Sequence, residues 1–221
     1  MRLLKTNLHR AGRKADWETI PKNKRNPWQR LAFSTKGVVT PANVTSVIGA
    51  LLVLLGLYYI VAGDLWWGLV CVAIGRLADI LDGAVAQATG TKSSVGEAVD
   101  VGLDKTIIVA AIVAFFITGV IPLWAVALIG ARNVINAALG LLGKARKKEL
   151  HPTRTGKLAA ALEWVAILLF IVAAVFRTQQ LAGGETAATV AAALTLVLAM
   201  LLGAAAIKDY SSRALNKTAK L

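Results

Sequence analysis

With a single cysteine, Cys71, the chain has no partner for an intrachain disulfide and no basis for a cysteine metal cluster. Cys71 sits in an apolar run and reads as a small packed residue. The two histidines, His9 and His151, lie in basic polar segments. Neither has a partner at ligand spacing, so a histidine-based zinc site is not expected. No cleavable signal peptide is visible, because the first 36 residues are basic and polar and lack an apolar h-region. A soluble domain and a long internal repeat are also missing. Acidic residues are few: 12 Asp and Glu stand against 25 Lys and Arg, a net charge of +13. Such an excess would suit nucleic acid, but membrane proteins also collect positive charge in their cytoplasmic loops. The membrane reading explains it better, and no nucleic-acid partner is expected.

What is present is apolar sequence. Of 221 residues, 57% are hydrophobic, and they come in long runs rather than alternating with polar residues. Runs of about 18 or more are candidate membrane spans. Six are predicted, at about 39–62, 65–88, 95–120, 122–143, 158–176 and 186–207, with Gly183, Gly184 and Glu185 interrupting before the last. Of the 25 cations, 23 fall on one side of this layout, an asymmetry that places both termini in the cytoplasm. Trp28, Leu31 and Phe33 suit a short helix lying at the membrane surface. The expected architecture is an all-α integral membrane bundle of six transmembrane helices with an N-terminal interfacial helix. Residues 1–38 form the basic cytoplasmic segment, 39–207 the catalytic domain and 208–221 a polar cytoplasmic tail.

The second and third predicted spans break the hydrophobic rule. Asp79 and Asp82 fall at i, i+3, and Asp100 and Asp104 at i, i+4, so each pair shares one helix face. Carboxylates in membrane segments are expensive and usually mark function. Four that converge would repel one another unless neutralised. Arg76, Lys92 and Lys105 are few, and divalent metal is the better neutraliser. All-oxygen ligands suit Mg²⁺ or Mn²⁺, and two such ions could clamp a phosphoryl group. Small residues around the acids (Gly83, Ala84, Ala86, Gly96 and Ala98) would let a nucleotide approach the backbone.

Asp79-x2-Asp82-Gly83-x2-Ala86-x9-Gly96-x3-Asp100-x3-Asp104 closely resembles the signature of the CDP-alcohol phosphotransferases. The resemblance extends to the six-span layout after residue 38. It implies that Asp79, Asp82 and Asp100 hold two Mg²⁺ or Mn²⁺ ions. Asp104 is then a shared ligand or, as preferred here, the general base. That base would deprotonate an acceptor hydroxyl, which attacks the β-phosphorus of a CDP-linked lipid and displaces CMP. The family has Arg where this chain has Gln87, which exchanges a charged fork of donors for a neutral amide and alters a nucleotide contact. Thr40-Pro41-Ala42-Asn43-Val44-Thr45 resembles the family's Pro-Asn-x-x-Thr segment. The nucleotide site implied is Asn43, Thr45, Asp79, Gly83, Gln87 and Gly96; the alternative for Asn43 and its neighbours is a helix N-cap.

Acceptor binding is assigned to Arg132, Arg154 and Lys157. Arg132 lies inside the fourth span, where it binds an acceptor phosphate or pairs with Glu163. Arg154-Thr155-Gly156-Lys157 resembles a Gly-Lys segment of relatives that use phosphorylated acceptors, although Ala160 and Glu163 stand where phosphatidylglycerophosphate synthases tend to have Thr and Gln. The expected enzyme transfers a phosphatidyl group from CDP-diacylglycerol to glycerol 3-phosphate. Inositol phosphate, serine or a second lipid are alternative acceptors. It would be a homodimer in the cytoplasmic membrane, with its active site on the cytoplasmic side. The rival from another class is a small cation or proton transporter, with the four Asp as its transport site.

Overall fold

The structure, a computed structural model, describes residues 20–91, 94–145 and 153–215. Expectations for His9, Lys92, His151, the side chain of Ala98, the middle of the basic 144–157 segment and the end of the tail lie outside the described residues. Among the described residues there are seven α-helices and no strand. They are α1 (Pro27–Ser34), α2 (Pro41–Val61), α3 (Leu65–Thr89), α4 (Ser94–Thr118), α5 (Leu123–Ala145), α6 (Arg154–Thr178) and α7 (Ala182–Leu215). The protein is an all-α integral membrane protein. Much of its apolar surface, from Leu51 and Tyr58 to Phe116, Ile117 and Leu201, faces outward, as hydrocarbon permits and water does not.

Six long helices lie close to the predicted positions, but the count of six spans is corrected to five. Pro41–Val61, Val99–Thr118, Leu123–Gly143, Arg154–Thr178 and Ala182–Ser212 are long and apolar enough to cross a bilayer. Helix α3 is long enough at 25 residues, yet Arg76, Asp79 and Asp82 interrupt its apolar run. A second correction concerns Gly183, Gly184 and Glu185, which do not break the pattern but form the first turn of α7. Gly184 is needed there because an added Cβ would stand 2.9 Å from the Phe176 ring. Glu185 accepts from Arg177 Nε at 2.6 Å, closing the turn between α6 and α7. The polar tail also stays helical, from Lys208 to Leu215.

Local chemistry sets the helix starts. Helix α1 opens on a capping box: Asn26 Oδ1 accepts from Gln29 N at 2.7 Å, and Gln29 Oε1 accepts from Asn26 N at 3.1 Å. Pro27 follows at the first position, where its missing N–H costs nothing. Helix α2 repeats the device with Thr40 Oγ1, which accepts from Asn43 N at 3.1 Å ahead of Pro41. Thr153 caps α6 by accepting from Gly156 N at 3.0 Å.

The described residues divide into two compact units, one within 20–54 and 74–108, the other within 55–73 and 109–215. In the first, α1 is tied to the turn after α3: Asn26 Nδ2 donates to Thr89 O at 3.1 Å and Gln29 Nε2 to Gly90 O at 3.5 Å. Gly90 has φ +64°, which few side-chain-bearing residues adopt. Helices α2 and α3 meet here at Gly49 and Gly75, where a Cβ on Gly75 would lie 2.6 Å from Gly49 O and 2.7 Å from Val53 Cγ2. The second unit contains a similar pair: a Cβ on Gly56 would lie 2.8 Å from Val72 N, and one on Gly68 3.2 Å from Gly56 O. Its core is built where α6 packs along α7, with Ile167, Phe170, Ile171 and Leu196 fully buried.

Gly75→Ala forces α2 and α3 apart and is expected to cost about 1–3 kcal/mol, as overpacking does. Gly102→Ala, which meets nothing within 4 Å, should leave stability intact. Thermal unfolding of both variants in detergent checks the contrast.

Candidate active site

Helices α3 and α4 bring the acids together. One carboxylate oxygen from each of Asp79, Asp82 and Asp100 lies within 4.8 Å of the others. All three side chains are half-buried, so their mutual repulsion is only partly screened by solvent. Asp104 stands outside this trio, more exposed, one helical turn beyond Asp100. It is joined to the group through Arg76. The Arg76 guanidinium donates to Asp79 Oδ2 at 2.8 Å and to Asp104 Oδ1 at 3.1 Å. A single cation therefore bridges one member of the trio and the fourth acid.

Arg76 is the first residue that sequence reasoning set aside and the structure brings in. Its signal was present, since Arg76 and Asp79 are three apart on one helix face. Ser46 is the second. It projects from α2, is buried, and its hydroxyl is hydrogen-bonded to Asp82 Oδ2. Its other contact is to Ala42 O at 3.0 Å. No spacing rule could pair Ser46 with an acid 36 residues away.

The residues expected to meet a nucleotide are placed as follows. Asn43 is buried, and its amide donates to Gly37 O at 3.1 Å and Val38 O at 2.8 Å, fixing the turn before α2. Thr45 Oγ1 donates to Pro41 O at 2.9 Å within its own helix. Gly83 is exposed beside Asp82, and a Cβ there would meet nothing within 4 Å, unlike the packed pair Gly49 and Gly75. Gln87 is exposed one turn further along α3. Gly96 lies in the first turn of α4, four residues before Asp100.

The acceptor candidates divide. Arg132 is buried in the second unit and pairs with Glu163 through Nη1 and Oε2. Arg132 and Lys157 line one cavity of about 330 Å³, together with Asn133, Asn136 and Tyr210. Arg154 is exposed at the start of α6 and does not line that cavity.

The acid trio could bind a metal. Three carboxylates and no nitrogen or sulfur ligand form a hard, all-oxygen donor set, which suits Mg²⁺, Mn²⁺ or Ca²⁺ over zinc or copper. Three donors leave open positions that substrate oxygens could fill.

Comparison with known proteins agrees with this chemistry. The family model described as CDP-alcohol phosphatidyltransferase matches residues 39–206. Two curated relatives, from Mycobacterium bovis and Mycobacterium tuberculosis, are each named as a candidate cardiolipin synthase. Each is 27% identical over 124 residues, covering 55% of this chain and 59% of the relative. The chain thus spans well under two thirds of the curated relatives it matches. No solved structure matches the chain significantly.

Removing the Ser46 hydroxyl leaves Asp82 without its donor. Ser46→Ala is expected to weaken divalent-metal binding about 10–100-fold, the usual cost of losing a group that orients a ligand. Mn²⁺ titration of the purified protein, followed by electron paramagnetic resonance, measures this. An unchanged affinity would show that Ser46 does not orient Asp82.

Proposed function

Because the chain belongs to the CDP-alcohol phosphatidyltransferase family, we propose that it moves the phosphatidyl group of CDP-diacylglycerol onto a glycerol hydroxyl and releases CMP. Family membership makes it a transferase of phospholipid synthesis and sets aside the transporter reading. The observation that carries the proposal is the convergence of Asp79, Asp82 and Asp100, with Asp104 held beside them by Arg76.

Two Mg²⁺ or Mn²⁺ ions held by the trio would offset the charge of the donor's pyrophosphate and of the oxygens that attack and leave. The protein's own residues do the rest. Asp104 is more exposed than the trio and has one oxygen bonded to Arg76, so its other oxygen is available to an acceptor hydroxyl. It takes the hydroxyl proton as the acceptor oxygen bonds to phosphorus. The bond from that phosphorus to the CMP oxygen breaks, and CMP leaves with the electron pair. Gly83 leaves space over Asp82 for the nucleotide. Asn43 has both amide hydrogens engaged, so it would present Oδ1, an acceptor suited to the cytosine amino group. Thr45, Gln87 and Gly96 would complete the nucleotide contacts.

Two glycerol acceptors fit. Glycerol 3-phosphate is favoured by the cations Arg132, Arg154 and Lys157. A phospholipid with a glycerol head group is favoured by the name of the relatives, since cardiolipin carries two phosphatidyl groups on one glycerol. The enzyme would work as a homodimer in the cytoplasmic membrane. Its active site would face the cytoplasm, the side on which membrane proteins collect cations such as Arg76 and Lys105 beside the acids.

CMP release from CDP-diacylglycerol by purified protein, with Mg²⁺ or Mn²⁺ and a panel of alcohols, tests the reaction. EDTA should abolish release, and Asp104→Asn should lower it by about 10²–10⁴-fold, the range for loss of a general base. Release that survives Asp104→Asn would remove Asp104 from its role.

A further inference from the structure

Around helix α1 lies a concentration of charge opposite in sign to the acid cluster. Residues 1–36 hold ten Lys and Arg against two acids, Asp16 and Glu18, so cations are in excess however the first residues are arranged. Lys22, Arg25 and Arg30 line a cavity of about 320 Å³ together with Phe33. Lys22 opens the single 3₁₀ turn Lys22–Lys24 just before α1, and Arg30 comes from the middle of α1. Arg30 Nε donates to Arg25 O at 3.2 Å, which leaves both terminal nitrogens of its guanidinium for a ligand. Arg25 is buried and built into the fold. Its Nε donates to Ile20 O at 2.8 Å, and its guanidinium lies over the Phe33 ring, 3.9 Å from the centroid. Among the described residues, neither Lys22 nor Arg30 has a carboxylate partner.

Cations gathered around a cavity call for an anion with several acceptor oxygens, and arginine beside lysine suits a phosphate. The apolar surface of the same helix decides what carries that phosphate. Trp28, Leu31 and Phe33 are all exposed, which water disfavours and a bilayer interface accepts. Trp28 and Leu31 lie at i, i+3 and share one flank of α1, while buried Gln29 and Ala32 form the face that rests on the protein. The level of α1 is set by α2, which is apolar enough to cross a bilayer and begins at Pro41. Only residues 35–40 separate the two helices, and Asn43 in α2 holds that link through its bonds to Gly37 O and Val38 O. A helix so tethered stays beside the membrane boundary, where the phosphates of lipids are.

We infer that Lys22 and Arg30 form a binding site for the phosphate of an anionic bilayer lipid, with Arg25 and Phe33 completing its wall and Trp28 and Leu31 seated in the interface. The inference does not depend on the phosphatidyl-transfer reading. The lipid bound here is neither donor nor acceptor, and none of the four acids lines the cavity. Its place in the first unit gives it a consequence. Asn26 and Gln29, on either side of the same turn of helix, grip Thr89 O and Gly90 O at the end of α3. A lipid held at α1 is therefore tethered to the helix that carries Asp79 and Asp82.

The test titrates the purified full chain in neutral detergent with phosphatidylserine, and separately with phosphatidylcholine, whose phosphate is offset by its own cation. Native mass spectrometry counts the lipid retained. EDTA is present throughout, so that metal at the acid cluster recruits no phosphate. One phosphatidylserine is expected to bind more tightly than phosphatidylcholine, by about fivefold or more, the usual worth of a basic residue beside an anionic lipid. Lys22→Gln and Arg30→Gln should each weaken phosphatidylserine binding by about fivefold and leave phosphatidylcholine unchanged. Lys22 is exposed and without a carboxylate partner among the described residues, so its variant decides the matter if Arg30→Gln loosens α1. Lys24→Gln removes a cation from the same turn but not from the cavity, and should have little effect. Inorganic phosphate, added at constant ionic strength, should not displace the lipid. Equal binding of the two lipids, or a loss with Lys24→Gln as large as with Lys22→Gln, would overturn the site in favour of diffuse attraction. Displacement by inorganic phosphate would overturn the lipid as its occupant.

Discussion

Three carboxylates with oxygens within 4.8 Å of one another repel, and this repulsion organises the surrounding residues. Each acid must be held against it and neutralised by something. Ser46 holds Asp82 from α2, while Arg76 spans Asp79 and Asp104 and links α3 to α4. Among the described residues, one paired cation for four acids leaves a large negative excess. The same excess that makes the site expensive inside an apolar protein makes it receptive to divalent cations. Helix α3 bears the cost visibly, since the residues that build the site also remove it from the set of helices apolar enough to span a bilayer.

Close backbone approach is what lets Ser46 reach Asp82. Gly49 and Gly75 allow α2 and α3 to touch main chain to main chain in the first unit, and Gly56 and Gly68 do the same in the second. The α2 glycines are seven residues apart, and so are those of α3. Small residues serve this purpose in membrane helices, where burial of apolar surface gives little drive to association. Gly83 is different in kind: it packs against nothing, and its lack of a side chain opens space rather than closing it.

Much of this was legible in the sequence because it depends on period and spacing. Long apolar runs located the helices, and the i, i+3 and i, i+4 spacings of Asp79, Asp82, Asp100 and Asp104 put each pair on one face. What was not legible depends on contacts between distant segments or on competition between signals. Ser46 and Asp82 are far apart in the chain. Gly183 and Gly184 look like a break, yet the Phe176 ring against Gly184 makes the small residue a packing requirement inside a helix. The heptad spacing of the four packed glycines was present but was masked by a chain already rich in glycine. Pairing of Arg132 with Glu163 was one of two readings left open, and the geometry allows both at once: the arginine is paired through Nη1 and still faces a cavity.

The tie between α1 and the turn that follows α3 runs through main-chain oxygens, those of Thr89 and Gly90. An amide that grips a carbonyl does not read the side chain beside it. Thr89 is thus free to vary in evolution without loosening the grip. Gly90 is not: its φ of +64° and the 2.7 Å that would separate an added Cβ from Gln29 Nε2 both demand glycine. One position in the turn is fixed by shape and identity together, while its neighbour can be rewritten as Asn26 keeps its hold.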